Sequence, residues 1–192
     1  LYNSPFLQHI FAAGNDGLLT CTPYPASFGT IKSGYQVAKN VLSVGNCDIF
    51  STGNIANTSS RGPVMDGRIK PEIIASGVSV GGPSPGNSYT NNIGTSASAP
   101  YVAGVWALLT ERYRQLHSSA NPKSALLKAI LCNTAIDKGN AGPDYKNGFG
   151  WISPQRAVAA VEGTRYYSST ITTGSNHQQT ISIPAGTRQV KV

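Results

Sequence analysis

The chain has 192 residues, 40% of them hydrophobic and 12% charged, the balance of a globular protein with a sizeable buried core and not of a disordered one. Its formal net charge is +7, yet lysines and arginines stand singly and no basic run is interleaved with aromatics, so the excess reads as a solvated basic surface and argues against a nucleic-acid partner. No apolar run approaches the roughly 20 residues of a membrane span, and Cys21, Cys47 and Cys132 show neither Cys-x-x-Cys spacing nor a disulfide framework.

Residues 6–13 form an apolar run stopped by Gly14-Asn15-Asp16-Gly17, the pattern of a buried parallel-type strand entering a tight loop. Function in such sheets gathers at the carboxyl ends of strands, where Asn15 falls; in isolation it also reads as a turn asparagine that tolerates left-handed dihedrals. His9 stands about 20 Å before it along an extended strand, too far to act as its partner. A loop with glycine and proline follows over 23–34, then a second short buried strand over 40–45. Cys21 and Cys47 each follow a predicted strand, and their pairing is open at this level. Lys70 and Glu72 flank Pro71; one lone carboxylate beside a proline reads as a structural or solvated charge and not as half of an acid–base pair.

An irregular glycine-rich stretch then leads into Gly94-Thr95-Ser96-Ala97-Ser98-Ala99-Pro100. Val102, Val105, Trp106, Leu109 and Tyr113 fall on one helical face, and Pro100 is tolerable only near a helix start, so Ser96 belongs to a first turn. There the free backbone N–H groups and the positive end of the macrodipole stabilise a developing oxyanion. The same local pattern also describes an ordinary capped helix. If the helix continues to His117, that residue is about 30 Å from Ser96. A second helix opens at Asn121-Pro122 with Leu126, Leu127, Ile130 and Leu131 inward and Cys132 at the end of its apolar face. A third opens after Gly148-Phe149-Gly150-Trp151-Ile152-Ser153-Pro154, with Ala157, Val158 and Val161 inward. From Thr164 the pattern changes to alternating Thr- and Ser-rich segments over 166–172 and 180–192, with His177 in a polar turn between them.

Gly94-Thr95-Ser96-x-x-x-Pro100-x-Val102-Ala103-Gly104, preceded by Pro85-Gly86-Asn87-x-Tyr89, closely resembles the nucleophile motif of the subtilisin-like serine proteases. Ala12-Ala13-Gly14-Asn15-Asp16-Gly17 resembles that family's oxyanion-hole loop. The stretches Ser59-Ser60-Arg61-Gly62-Pro63 and 66–77 resemble the run found in many secreted members, apart from Ser76 where proline is usual. The Gly-x-Gly element at 148–150 resembles the one that closes the catalytic domain.

The resemblance covers roughly residues 6–162. It implies an α/β fold, the three-layer α/β/α subtilisin-like arrangement around a parallel sheet, here incomplete. Residues 1–163 are expected to be the carboxyl-terminal portion of the peptidase domain and 164–192 the opening strands of an appended, truncated β-domain. The implied activity is endopeptidase hydrolysis through an acyl-enzyme on Ser96, with Asn15 in the oxyanion hole and Ala12, Ala13, Gly14 and Thr95 contacting an extended polypeptide substrate. In chain order the family supplies Asp, His, the oxyanion Asn and then Ser, so the base and its orienting carboxylate are expected upstream of Leu1 and the chain alone is expected to be inactive. No cofactor or metal site is assigned, although structural calcium is consistent with the family; a secreted or extracytoplasmic, monomeric protein is implied. Sedolisin-like acid peptidases share the fold and a similar serine motif but carry aspartate in the oxyanion hole, against which Asn15 argues. A catalytically dead homologue that binds peptides stays open.

Overall fold

In the computed structural model, which describes residues 3–48, 53–187 and 190, the sheet is built on β2 (Leu42–Asp48). All of β2 except Asp48 is buried, as its alternation of apolar and small side chains requires of a strand covered on both faces. On one edge, β1 (Ile10–Ala12) runs parallel to it with Ile10 opposite Leu42 and Ala12 opposite Val44. Past β1, the two-residue β3 (Asn54–Ile55) pairs antiparallel with Cys47 and Asp48. On the other edge, β4 (Ile73–Ser76) is parallel, with Val44 opposite Ile73 and Cys47 opposite Ser76. Bridges from Trp151 to Ile74 and Ile136 extend the sheet beyond β4.

Three helices cover one face: α1 (Thr95–Leu116), α2 (Ser124–Thr134) and α3 (Pro154–Glu162). Leu42, Val44, Ile73 and Ala75 point toward them and share a core with Val102, Val105 and Leu109 of α1 and Leu127 and Leu131 of α2. The odd-numbered partners point the other way, Cys47 with Ile55, and the even-numbered Ile74 of β4 joins them across the register; Ala13 packs there with Ile31 and Val64 from the loops. The α/β architecture implied by the sequence is therefore present as a mainly parallel sheet with helices on one face and loops on the other.

Several boundaries differ from the expected ones. The first strand was expected over 6–13 but pairs only over Ile10–Ala12, because β2 begins at Leu42, whose N–H donates to the His9 carbonyl at 2.9 Å; before that point Phe6 and Leu7 are about half exposed. The stretch ahead of α1, expected to be irregular, is a hairpin of β5 (Val80–Ser84) and β6 (Ser88–Asn92) turning through Pro85-Gly86-Asn87, with Gly86 and Asn87 at φ 79° and 55°. β6 is exposed throughout and β5 half-buries one face with Val80, Gly82 and Ser84, so neither carries an apolar alternation, and only the turn residues announce the hairpin. Helix α2 begins at Ser124 and not at Asn121-Pro122; the Ser124 N–H donates to the Pro5 carbonyl at 2.8 Å, which docks the helix start onto the segment before β1. Helix α3 begins as expected, with Ser153 Oγ accepting from the Arg156 N–H.

No strand forms among the described residues after Gly163, and the expected strand over 180–192 lies partly outside them. A strand needs a ladder partner, and each of these segments is exposed. The start of this tail is tied down by Tyr166, whose hydroxyl lies 2.7 Å from His117 Nε2 at the end of α1, while His117 stacks on Tyr113.

All three thiols are free, so the open question of Cys21 and Cys47 resolves against a disulfide. Burial pushes the Cys47 and Cys132 thiols up to about 12, whereas Cys21 is partly exposed. A thiol reagent at neutral pH should therefore modify Cys21 alone in the native chain and all three cysteines in denaturant, read by mass spectrometry. For the core, Leu109→Ala should cost about 2–5 kcal/mol in urea unfolding, and Leu108→Ala, one residue round the helix at 61% exposure, no more than about 0.5 kcal/mol.

Candidate functional site

β1 delivers the chain to a loop that is clamped before it turns. The Ala13 N–H donates to the Val44 carbonyl at 2.9 Å, continuing the sheet bonding past the last strand residue. At Gly14 the backbone takes φ 112°, a conformation closed to side-chain residues, and a Cβ there would meet Ser60 Oγ at 2.8 Å. Ser60 then holds the turn from both sides, its N–H donating to the Gly14 carbonyl and its Oγ accepting from the Asp16 N–H, both at 2.9 Å.

The result is an exposed Asn15 whose amide orientation is dictated by Thr95. The Thr95 backbone N–H and hydroxyl both donate to Asn15 Oδ1, at 3.0 and 3.1 Å, and Thr95 Oγ1 accepts from the Gly14 N–H at 3.3 Å. A backbone N–H can only donate, so the acceptor must be the amide oxygen, and the Asn15 NH2 group is turned outward. It makes no hydrogen bond to the described residues.

Helix α1 starts against this amide. Its N-cap, Gly94, has φ 122°, and a Cβ there would lie 3.2 Å from Asn15 Oδ1, so only glycine lets the asparagine cross. The Gly94 N–H donates to the Gly77 carbonyl at 2.8 Å and Ser98 Oγ donates to the Ala75 carbonyl at 3.1 Å, which joins the helix start to the end of β4. In the first turn the N–H groups of Thr95, Ala97 and Ser98 are engaged, whereas that of Ser96 has no partner among the described residues. Ser96 is exposed, its hydroxyl also unengaged among the described residues, and Ser98, two residues on, is fully buried on another face of the helix. Pro100 lies in the second turn, where its missing N–H leaves the Ser96 carbonyl without a helical donor. The site thus gathers an exposed hydroxyl, two free N–H donors from Ser96 and Asn15, and the positive end of a 22-residue helix with no acidic residue in its first turn.

The other expected site residues divide by burial. Thr95 is fully buried and spends its polar groups on Asn15 and Gly14, which places it behind the amide as a positioning residue. Ala13 buries its side chain with Ile31 and Val64. Because the Ala13 N–H bonds to β2, the neighbouring Ala12 backbone groups face the opposite edge, where no described strand lies. The histidines stay apart from Ser96: His9 is exposed and stacks near Phe11, His117 caps the far end of α1, and His177 stacks on Tyr167 at 5.1 Å. Lys70 and Glu72 are structural, as expected, but buried and not solvated, joined by a 2.6 Å bond. Sequence reasoning assigned no role to Ser60, Gly77 or Ser98; Ser60 lies in a quoted motif, but nothing in the chain order signals its distance of 44 residues from Asp16.

Thr95→Val keeps the backbone donor to Asn15 but removes the hydroxyl, leaving the Gly14 N–H and part of the amide oxygen unsatisfied. It should lower stability by about 1–3 kcal/mol in urea unfolding, and Thr95→Ser, which retains the hydroxyl, by clearly less.

Comparison with known proteins identifies the family and the fold. A subtilase family model matches residues 7–150. Subtilisin DY from Bacillus licheniformis is 32% identical over 146 residues, covering 76% of this chain and 43% of its own length. C5a peptidase from Streptococcus pyogenes is 32% identical over 114 residues, 55% of this chain and 10% of its own. Among solved structures, the Clostridium perfringens CspB protease superposes with a TM-score of 0.64 at 26% identity, covering 73% of this chain and 30% of that one. The patellamide maturation protease PatA, at 23% identity, shows the same fold with a TM-score of 0.63 over 82% of this chain and 52% of its own. The chain spans less than half the length of these curated relatives. It belongs to the subtilase family.

Proposed function

We propose that this chain is part of a serine endopeptidase in which Ser96 Oγ is the nucleophile and the Asn15 NH2 and Ser96 N–H groups form the oxyanion site. The observation that carries this reading is the pair of unpartnered donors beside an exposed serine hydroxyl at the start of α1. As Oγ attacks the scissile carbonyl carbon, the carbonyl π electrons move to oxygen, and the negative charge forms where fixed donors need no reorganisation to meet it. Collapse of the tetrahedral intermediate expels the amine and leaves an ester on Ser96, which water then hydrolyses.

The hydroxyl needs a base, and the family's order of Asp, His, oxyanion Asn and Ser supports a base and orienting carboxylate contributed from before Leu1. On this reading residues 1–163 are the carboxyl-terminal part of the peptidase domain, residues 164–192 open a β-domain, and the 192-residue chain alone is inactive. The outward-facing Ala12 backbone offers an extended polypeptide a strand to pair with, and Ala12, Ala13 and Gly14 then edge its side-chain pocket. A secreted or extracytoplasmic, monomeric enzyme is in keeping with the family.

In the complete protein, Ser96→Ala should abolish amide hydrolysis and labelling by a fluorophosphonate, while Ser98→Ala leaves turnover within several-fold. Asn15→Ala should lower kcat by about 100- to 1,000-fold, the cost of losing an oxyanion donor in subtilisin itself, with little change in KM; because it also strips the buried Thr95 N–H and hydroxyl of their acceptor, Tm should fall as for Thr95→Val. Turnover that survives Ser96→Ala would overturn the assignment, and a complete protein that is inert to the fluorophosphonate would identify a dead homologue.

A further inference from the structure

At the amino ends of the strands, remote from Ser96, a cavity of about 760 Å³ opens between the segment before β1, the residues leading into β2 and β4, and α2. Its centre is a charged group of unusual stoichiometry. Lys70 Nζ and Lys128 Nζ both donate to the same oxygen, Glu72 Oε1, at 2.6 and 2.8 Å, while Glu72 Oε2 accepts from the Ser43 N–H at 2.7 Å. The remaining ammonium protons go to the Ala38, Lys39 and Val41 carbonyls. Every donor is satisfied, but carbonyls carry no formal charge, so two ammoniums share one carboxylate. Lys70 is 1% exposed and Glu72 6%, which places this odd positive charge in a poorly solvated setting. Burial pushes the Lys70 ammonium below the usual lysine range, with Glu72 acting against the shift.

The surroundings add to the imbalance. Lys39 and Lys123 stand on the rim without a carboxylate partner among the described residues, and Arg68 is already paired with Asp66. Four lysines thus face one glutamate, an excess of three positive charges at a single cavity in a chain whose net charge is +7. Between the charges the wall is apolar, formed by Ile69, Ala129, Cys132 and Phe149. The volume lies in the range of small-molecule sites, roughly 300–1,000 Å³.

We propose that this cavity binds a small organic anion, an apolar body bearing a carboxylate, whose charge neutralises the Lys70–Glu72–Lys128 group. Lys128 is the contact residue, since its side chain is 21% exposed and its bond to the Lys39 carbonyl lies at the solvent edge, where an incoming carboxylate can replace it.

The test is a fluorescence titration of the complete protein with 1-naphthylacetate and with its neutral amide, which shares the apolar body. Saturable binding of the acid, about tenfold tighter than that of the amide, is expected, weakening several-fold between low and high salt. Lys128→Met leaves Lys70 and Glu72 as a neutral pair and should weaken the acid about tenfold without altering the amide. Should that variant fail to fold, the exposed double variant Lys39→Gln/Lys123→Gln provides the same comparison. Ser96→Ala should bind both ligands unchanged, which separates this cavity from the peptidase site. Equal affinities for acid and amide, no saturable binding of the acid, or binding indifferent to both lysine variants would overturn the proposal.

Discussion

Where α1 begins is held by three bonds, and the one from Thr95 to Asn15 aims the site. Gly94 N–H to the Gly77 carbonyl and Ser98 Oγ to the Ala75 carbonyl anchor the helix to the end of β4, and Thr95 to Asn15 Oδ1 anchors it to the loop after β1. Each uses a group that a helix start leaves unpaired or a side chain turned inward, so the helix is stabilised by the contacts that aim it. The remaining free groups, the Ser96 N–H and hydroxyl, are those left over when the anchors are satisfied. Gly77 shows how little slack exists: a Cβ there would overlap Ser98 Oγ and come within 2.6 Å of the Gly94 carbonyl.

Much of this was legible before any coordinates. β2, α1 and α3 were legible because each has a strong periodic or continuous apolar signal, and the positions of Asn15 and Ser96 because a glycine-bounded loop and a proline-limited helix start are local features. The hairpin of β5 and β6 was not, since β6 is exposed throughout and the half-buried face of β5 carries Val80, Gly82 and Ser84, which make no apolar pattern to read. The burial of Thr95 was not legible either, for a related reason. Its neighbour Ser96 is exposed and Thr95 is fully buried, a distinction set by which way the helix faces the sheet and not by residue type. Tertiary bonds across long sequence separations, such as Ser60 to Asp16, leave no trace in the order of residues around either partner.

The charges at the other end of the sheet make a complementary point. Lys70 and Glu72 sit two residues apart around a proline, which in sequence leaves open a structural or a solvated charge; the chain buries both and adds Lys128 from a helix 56 residues beyond Glu72. The backbone bond from Ser43 to Glu72 gives this cluster a structural task, holding the entry of β2 to that of β4. The two ends of one parallel sheet therefore carry different chemistry: free N–H donors at the carboxyl end and crowded ammoniums at the amino end.

The bonds between Thr95 and the Asn15 loop join residues 80 and 81 apart, whereas β2 and β4 pair across about 29. Closing the longer loop costs more chain entropy, and it becomes cheaper once the intervening strands are already in place. The longer closure is therefore the one that depends on the sheet. With the sheet assembled and that closure unmade, Ser96 and Asn15 are unrelated surface residues, so their meeting rests on the longest-range bonds of the site.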